Sequence, residues 1–427
     1  MADRHLTAAP QEALSSLREE LGAFDAFGRP SEIGELRCPE LPAVPVFRNQ
    51  FWTSLQRRGS SLHEVSYLAC FKPELPRFFL ERLTEPGQVV LDPFMGRGTT
   101  LIEAALLGRV PWGKDANPLS RVMAEARLLP PTEERVAARL AEISSAGGAL
   151  EEELLVFFHP LTLARIQGLR RYFLERGEEN MDAVDRWIRV VALNRLTGHS
   201  AGFFSVYTMP PNQAASIHGQ RRINRRRQQV PPERDVDALI LRKTRTLLKT
   251  VTAEQRRRLA AAAPAARFLT GDSRSLRELP DGQVSLAVTS PPFLNVYDYA
   301  RINWLRCWFC GIDPDGVGIS TPSGLPAWRD LITTVLRECF RVARPGGWMA
   351  FEVGEVRKGS VRLEEHVLPC GVEAGWEPAL VLINAQEFTK TSVCWGVDNN
   401  SRGTNTNRVV LMRKPGNPAR LGGPDPS

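Results

Sequence analysis

Two short stretches of this chain carry residue types that can do chemistry. The first is "TSPPF", Thr289 to Phe293, which follows the apolar run "VSLAV". Prolines at 291 and 292 fix φ and remove two backbone donors, and they push Ser290 and Pro291 towards extended conformations. The result is a stiff corner whose carbonyls and Ser290 hydroxyl are open to accept hydrogen bonds, with Phe293 offering a flat face for stacking. A planar amine with two N–H donors suits such acceptors. An amine held near its nitrogen exposes a lone pair and attacks an in-line methyl sulfonium, with the rate coming from orientation and local electrostatics. The plainer reading is a Pro-Pro strand end at a surface turn.

The second stretch is "VVLDPFMGRGTT", residues 89–100. Gly96 and Gly98 let the backbone turn tightly and approach a ligand, and a helix start beyond them offers unpaired N–H groups. A dinucleotide fingerprint would need a third glycine at 101, where the chain has Leu101. Asp115 closes the next strand and can bind ribose hydroxyls. Asp272, in "TGDSR", closes a third and can accept from an adenine amine. Either acid alone reads as a helix or turn cap. Two at successive strand ends beside a glycine turn point to a bound adenosine.

The elements that must position these residues alternate. "GQVVLD" reads as a strand, "GTTLIEAALLG" as a helix stopping at Gly108, "RVPWGKD" as a strand, and "NPLSRVMAEARL" as a helix with Pro118 in its first turn. Such alternation predicts a parallel sheet covered by helices. Residues 128–264 break it with helix-periodic segments such as "TLARIQGLRRYFLERG" and "MDAVDRWIRVVALNRLTG", around a polar, aromatic and basic middle. The alternation resumes with "RFLTGD" and "VSLAVTS", a helix over "PAWRDLITTVLRECFRVARPGG" closing at Gly346-Gly347, strand "WMAFEVG", helix "EEHVLPCGVEAGW" and strands "EPALVLINAQ" and "NRVVLMRK". The last two lack a full helix between them, so they are expected to pair antiparallel.

Composition bounds the rest. The chain has 427 residues, 43% of them hydrophobic and 24% charged, enough for a packed core with two or three domains or one with a large insertion. No run is long and apolar enough for a membrane span. The N-terminal "MADRHLTAAPQEALSSLREELGAF" has no signal-peptide core and reads as a short amphipathic helix, so a cytoplasmic location is expected. Seven scattered cysteines fit reduced thiols. Cys307 and Cys310, among Trp304, Trp308 and Phe309, read as packing, and no metal is expected. The net charge of +7 is concentrated: residues 219–259 hold thirteen basic and four acidic side chains. "QRRINRRRQQ" has almost no acidic partner in reach, so it predicts a polyanion contact in preference to a solvated helix face.

Together, "DPFMGRGTT" and "TSPPF" resemble the cofactor-binding and catalytic motifs of the S-adenosylmethionine-dependent DNA amino-methyltransferases, which methylate cytosine N4 or adenine N6. "FKPELPRFFLERLTEPGQVVLDPF", "KDANP" and "RVARPGGW" resemble the segments around them. The resemblance covers residues 63–127 and 265–413. It implies an α/β fold, a class I methyltransferase Rossmann-like, mostly parallel sheet with an antiparallel final strand, here with a mainly helical inserted subdomain. It implies S-adenosylmethionine held at Asp92, Phe94, Gly96, Gly98 and Thr99, with Asp115 on the ribose and Asp272 at the adenine end. It implies a catalytic corner of Ser290, Pro291, Pro292 and Phe293 acting on a base flipped out of the duplex. Serine at the first position is associated with cytosine N4, so cytosine is favoured over adenine.

The expected organisation is an N-terminal extension over 1–62, a catalytic domain over 63–127 and 265–414, a basic insertion over 128–264 that recognises the target, and a tail over 415–427. Within the insertion Arg221, Arg222, Arg225, Arg226 and Arg227 are expected on phosphates, with Asn212, Gln213 and Gln220 as base-edge readers. "HSAGFFSVYTMPP" is a candidate wedge, and the amide-rich loop "GVDNNSRGTNTN" a second candidate to face substrate. The expected partner is double-stranded DNA, with a restriction endonuclease as a further expected companion. Adenine-N6 methylation, RNA methylation and a non-catalytic nucleic-acid-binding module remain as alternatives, and a nicotinamide enzyme is the weakest.

Overall fold

The computed structural model describes residues 10–39, 41–53, 59–67, 70–145, 148–208, 214–292, 302–318, 322, 324–353, 355–356, 361–385 and 406–416. In chain order its helices are α1 (Pro10–Gly22), α2 (Glu74–Leu83), α3 (Thr99–Leu106), α4 (Pro118–Glu125), α5 (Glu133–Glu142), α6 (Pro160–Arg176), α7 (Ala183–Leu193), α8 (Ile217–Arg227), α9 (Val236–Leu248), α10 (Ala253–Ala262), α11 (Trp304–Cys310), α12 (Leu325–Val342) and α13 (Glu364–Glu373). The strands are β1 (Glu32–Leu36), β2 (Val44–Asn49), β3 (Val89–Asp92), β4 (Val110–Asp115), β5 (Arg267–Thr270), β6 (Val284–Thr289), β7 (Ala343–Val353), the two-residue β8 (Glu355–Val356) and β9 (Val361–Arg362), β10 (Glu377–Ala385) and β11 (Thr406–Arg413).

The fold is α/β. Nine strands form one sheet in the order β1-β2-β10-β11-β7-β6-β3-β4-β5. From β7 to β5 all neighbours are parallel. β11 runs antiparallel between β7 and β10, as the missing helix between the last two strands predicts. All six residues of β6 are buried, which is why "VSLAVT" reads as a continuous run and does not alternate: helices cover both faces of a parallel sheet. On one face α12 and α13 set Leu331, Ile332, Val335 and Val367 against Leu91, Ala287, Met349 and Phe351. On the other, α1 and α2 bring Leu21, Phe78 and Phe79 onto Val90, Leu286, Val288 and Ala350.

Two boundaries differ from the sequence reading. β1 and β2 lie inside the expected N-terminal extension, yet β2 pairs in parallel with β10 and carries the sheet beyond it. The helix expected to run to Gly346-Gly347 stops at Val342, and Ala343 already pairs with Val284. A Cβ at Gly347 would stand 2.9 Å from the carbonyls of Arg344 and Val284, so the glycine serves close strand approach and not a helix stop.

The inserted helices do not form a separate body. Val136, Leu140, Val184, Ile188, Ile240 and Leu259 share one buried cluster with Leu101 and Ile102 of α3, Leu119 of α4 and Leu305 of α11. The chain leaves β3 towards β4 and β5 and leaves β6 towards β7. The carboxyl ends of β3 and β6 therefore flank the point where strand order reverses, where open sheets of this kind bind ligands.

Candidate active site

β3 ends at Asp92, and the chain turns through Pro93, Phe94, Met95, Gly96 and Arg97 into Gly98, the residue preceding α3. Gly96 and Gly98 take positive φ of 48° and 77°, a region that favours glycine. At Gly98 a Cβ would also lie 2.7 Å from the Ala124 Cβ of α4, so that glycine sets turn-to-helix contact as well as backbone geometry. α3 has no side-chain cap, which leaves its first-turn N–H groups for a ligand.

The turn is latched from below. Arg97 donates to the carbonyls of His63 (3.2 Å), Val65 (3.0 Å) and Phe71 (3.4 Å). Buried Arg127 donates to Met123 (2.9 Å), Leu62 (3.0 Å) and the Arg97 carbonyl. The Tyr67 ring comes within 3.7 Å of where a Gly96 Cβ would stand. Sequence reasoning missed these residues because most of their partners come from distant segments of the chain.

Three expected acids fall around the turn with different surroundings. Asp115 ends β4; its Oδ2 accepts from Gly96 N–H and its Oδ1 from Asn117 N–H, both at 2.8 Å. Burial raises its pKa against those bonds. A carboxylate with one backbone partner per oxygen keeps further lone pairs for ribose hydroxyls. Asp272 follows β5 and pairs with Arg274, whose guanidinium holds it below the usual carboxylate range. Ser273 beside it donates to the Pro93 carbonyl, which joins that loop to the turn. Asp92 is buried and accepts from Phe94 N–H (3.1 Å) and Thr289 Oγ (2.6 Å). Burial pushes its carboxyl up to about 7 against these bonds.

The Thr289–Asp92 bond joins the two stretches singled out in the sequence. Thr289 is the last residue of β6, one before Ser290, and Thr100 of α3 donates to the Val288 carbonyl at 3.1 Å. Ser290, Pro291 and Pro292 therefore lie beside the glycine turn; Phe293 lies outside the described residues. Two expectations about this corner change. The Pro292 carbonyl is not open, because the Trp328 indole N–H donates to it at 3.3 Å. The Ser290 hydroxyl has a partner, the buried Glu352 of β7, which also accepts from Asn407 Nδ2 at 3.1 Å. Burial raises the Glu352 pKa, and both hydrogen bonds oppose that. Glu352 was missed, although an acid inside "WMAFEVG" is a signal that sequence alone offers.

The five arginines expected on phosphates occur on α8 and at its end, all exposed. Arg227 stacks on the Tyr207 ring at 3.8 Å. Gln220 does not fit base reading: it is buried and donates to the Tyr207 carbonyl (3.0 Å) and Asn224 (2.7 Å). Asn212, Gln213 and residues 386–405 lie outside the described residues, as do Met209, Pro210 and Pro211 of the candidate wedge. Among the described residues no group of three His, Cys, Asp or Glu is arranged to hold a metal ion, and no helix is long and apolar enough to cross a membrane.

Residues 43–119, from β2 through the glycine turn to the start of α4, match the family model described as DNA methylase. Over 76 residues the chain is 36% identical to the type II methyltransferase M.MjaII of Methanocaldococcus jannaschii, which covers 18% of this chain and 14% of that protein. Over 67 residues it is 37% identical to the type II methyltransferase M.MvaI of Kocuria varians, 15% of each chain. The matched stretch is thus a small part of both relatives. Among solved structures, a TehB-like SAM-dependent methyltransferase from Corynebacterium glutamicum aligns over 79% of this chain and 86% of its own, at 10% identity and a TM-score of 0.30.

Proposed function

We propose that this chain transfers the methyl group of S-adenosylmethionine to the exocyclic amine of a base in double-stranded DNA, with cytosine N4 as the preferred acceptor. The observation that carries this reading is the 2.6 Å hydrogen bond from Thr289 to Asp92, which holds the acceptor corner against the glycine turn.

The residues present fit an adenosine sulfonium. The uncapped start of α3 leaves first-turn backbone N–H groups, and Asp115 has acceptor capacity for a ribose. When bound, the cofactor supplies an electrophilic methyl on sulfur. The chain's own residues then orient the acceptor. Ser290 Oγ and the Pro291 carbonyl take the two N–H groups of an amine, and Glu352 fixes the serine proton. With the sulfonium held beside the glycine turn and Asp115, methyl transfer to the amine would release the thioether, and the alkylated nitrogen would pass its extra proton to water. A strong base is not needed before attack, because the amine becomes acidic only once alkylated. Holding both partners in line supplies most of the acceleration. Serine at 290, from the family resemblance, supports cytosine; the exposed arginines of α8 support a polyanionic acceptor.

The test is transfer of labelled methyl from S-adenosylmethionine to unmodified DNA, followed by nucleoside analysis. N4-methylcytosine is the expected product, and Ser290→Ala is expected to lower kcat by about a hundredfold with cofactor affinity unchanged. N6-methyladenine would move the preference to adenine, and label appearing in RNA alone would overturn the DNA reading.

A further inference from the structure

A second cationic feature lies away from α8, between the insertion and the glycine turn. Arg306, in α11, is 8% exposed. Its hydrogen bond is to the neutral Asn303 Oδ1 at 3.1 Å, and among the described residues no carboxylate pairs with it. Arg195, just past α7, is half-buried; its Nε donates to the Asn194 carbonyl (2.9 Å) and its plane stacks on Phe203 at 4.1 Å. It too forms no ion pair among the described residues. Burial lowers both guanidiniums to about 10, and Arg306 is close enough to lower Arg195 further. Arg242 adds to the same field, and Glu64, paired with Lys243 at 3.1 Å, partly offsets it. Leaving buried charges without a paired carboxylate is costly, and among the described residues neither guanidinium has one.

The surrounding contacts relate the pair to the glycine turn. Asn194 accepts from Ser66 N–H at 3.1 Å, which stitches the Arg195 loop to the segment holding Tyr67, and Tyr67 lies against Gly96. On the other side, Val206 N–H donates to the Phe157 carbonyl at 2.9 Å, and the Phe157 ring packs 6.0 Å from that of Trp304, two residues before Arg306. Arg306 lies within electrostatic reach of both Arg195 and Tyr67, and Tyr67 lies against Gly96 of the glycine turn. Guanidinium forks match the oxygens of a phosphodiester better than a point charge does. A nucleotide that enters a cavity base-first brings its phosphodiester to the rim.

We propose that Arg195 and Arg306 together clamp one backbone phosphate beside the nucleotide inserted at the Ser290–Pro292 corner. This inference rests on the DNA-methylation reading above. It adds an anchor at the site itself, distinct from the exposed ridge of α8.

The test compares wild type with Arg195→Gln, Arg306→Gln and Arg306→Lys. Binding of a mixed-sequence DNA duplex is measured across a salt series, and cofactor binding by the thermal shift that S-adenosylmethionine produces. Each glutamine variant is expected to bind DNA about tenfold more weakly. Each should also flatten the dependence of log affinity on log salt by about one unit, with the cofactor shift retained. Arg306→Lys keeps charge without the fork, so it should retain the salt slope yet lose part of the affinity. If Arg306→Gln does not fold, the more exposed Arg195→Gln decides. Unchanged DNA affinity and slope would overturn the clamp, as would a lost cofactor shift with DNA binding intact, which would assign the pair to the cofactor's carboxylate. Wild-type methyl transfer to DNA is read in parallel: its presence with unaffected variants sinks the clamp alone, and its absence sinks the underlying reading as well.

Discussion

Asp92 is buried at the end of β3, and its folded pKa of about 7 lies above the ordinary value of 3.8. A carboxyl shifted that way favours the folded state below its unfolded pKa, and the contribution is lost as pH rises through the folded value. Between about pH 4 and 7 the wild type should therefore lose stability relative to Asp92→Asn, by up to roughly 4 kcal/mol. Urea unfolding of both proteins across that range measures it; a pH-independent difference would show that Asp92 is already ionised in the fold. At this scale the sequence showed which residues could do chemistry but not which partners they take. Ser290 and Asp92 stood out through their neighbours in sequence. Glu352 and Thr289, which hold them, come from other strands. Gln220 looked like a base reader because polar residues surround it in sequence, yet the fold buries it under the Tyr207 carbonyl.

The glycine turn and α4 meet at Gly98 and Ala124, and that contact makes the turn an element-level device. Gly98→Ala combines a positive φ of 77° with a 2.7 Å approach between β-carbons. It is expected to cost about 1–3 kcal/mol of stability and to abolish the cofactor-induced thermal shift. Gly96→Ala, with a 3.7 Å nearest contact, should be milder. Equal effects at both positions would show that backbone conformation alone matters. Strand–turn–helix units were legible because apolar runs, glycines and caps alternate locally; Asn117, for example, caps α4 ahead of Pro118. β1 and β2 were not, because "EIGEL" is largely exposed at the sheet edge and "VPVFRN" carries a proline in its strand. The end of α12 was misread because Gly346-Gly347 looks like a helix stop until β6 pulls Ala343 into the sheet.

At the scale of the whole molecule, two cationic features stand out among the described residues. The outer one is the exposed arginine ridge of α8, and it should act as a sequence-independent contact. Replacing Arg221, Arg222, Arg225 and Arg226 together with glutamine is expected to flatten the salt dependence of DNA binding by about 3–4 units, without changing base preference. Binding isotherms on duplexes of different sequence measure this, and a changed preference would give α8 a reading role. The basic character of residues 219–259 was visible in sequence; the separate pair of half-buried Arg195 and buried Arg306, from outside that stretch, depends on packing between distant segments. Packing also sets how the protein could be re-engineered. The buried cluster runs without a break from α3 and α4 into the helices of residues 128–264, so exchanging that block as a cassette would strip the support beneath the cofactor turn. Even the segment that ends in α8 shares that interior, through buried Phe204 and through Ala214 and Ile217 packed on the cluster, so only the exposed arginine face of α8 can be exchanged without disturbing it.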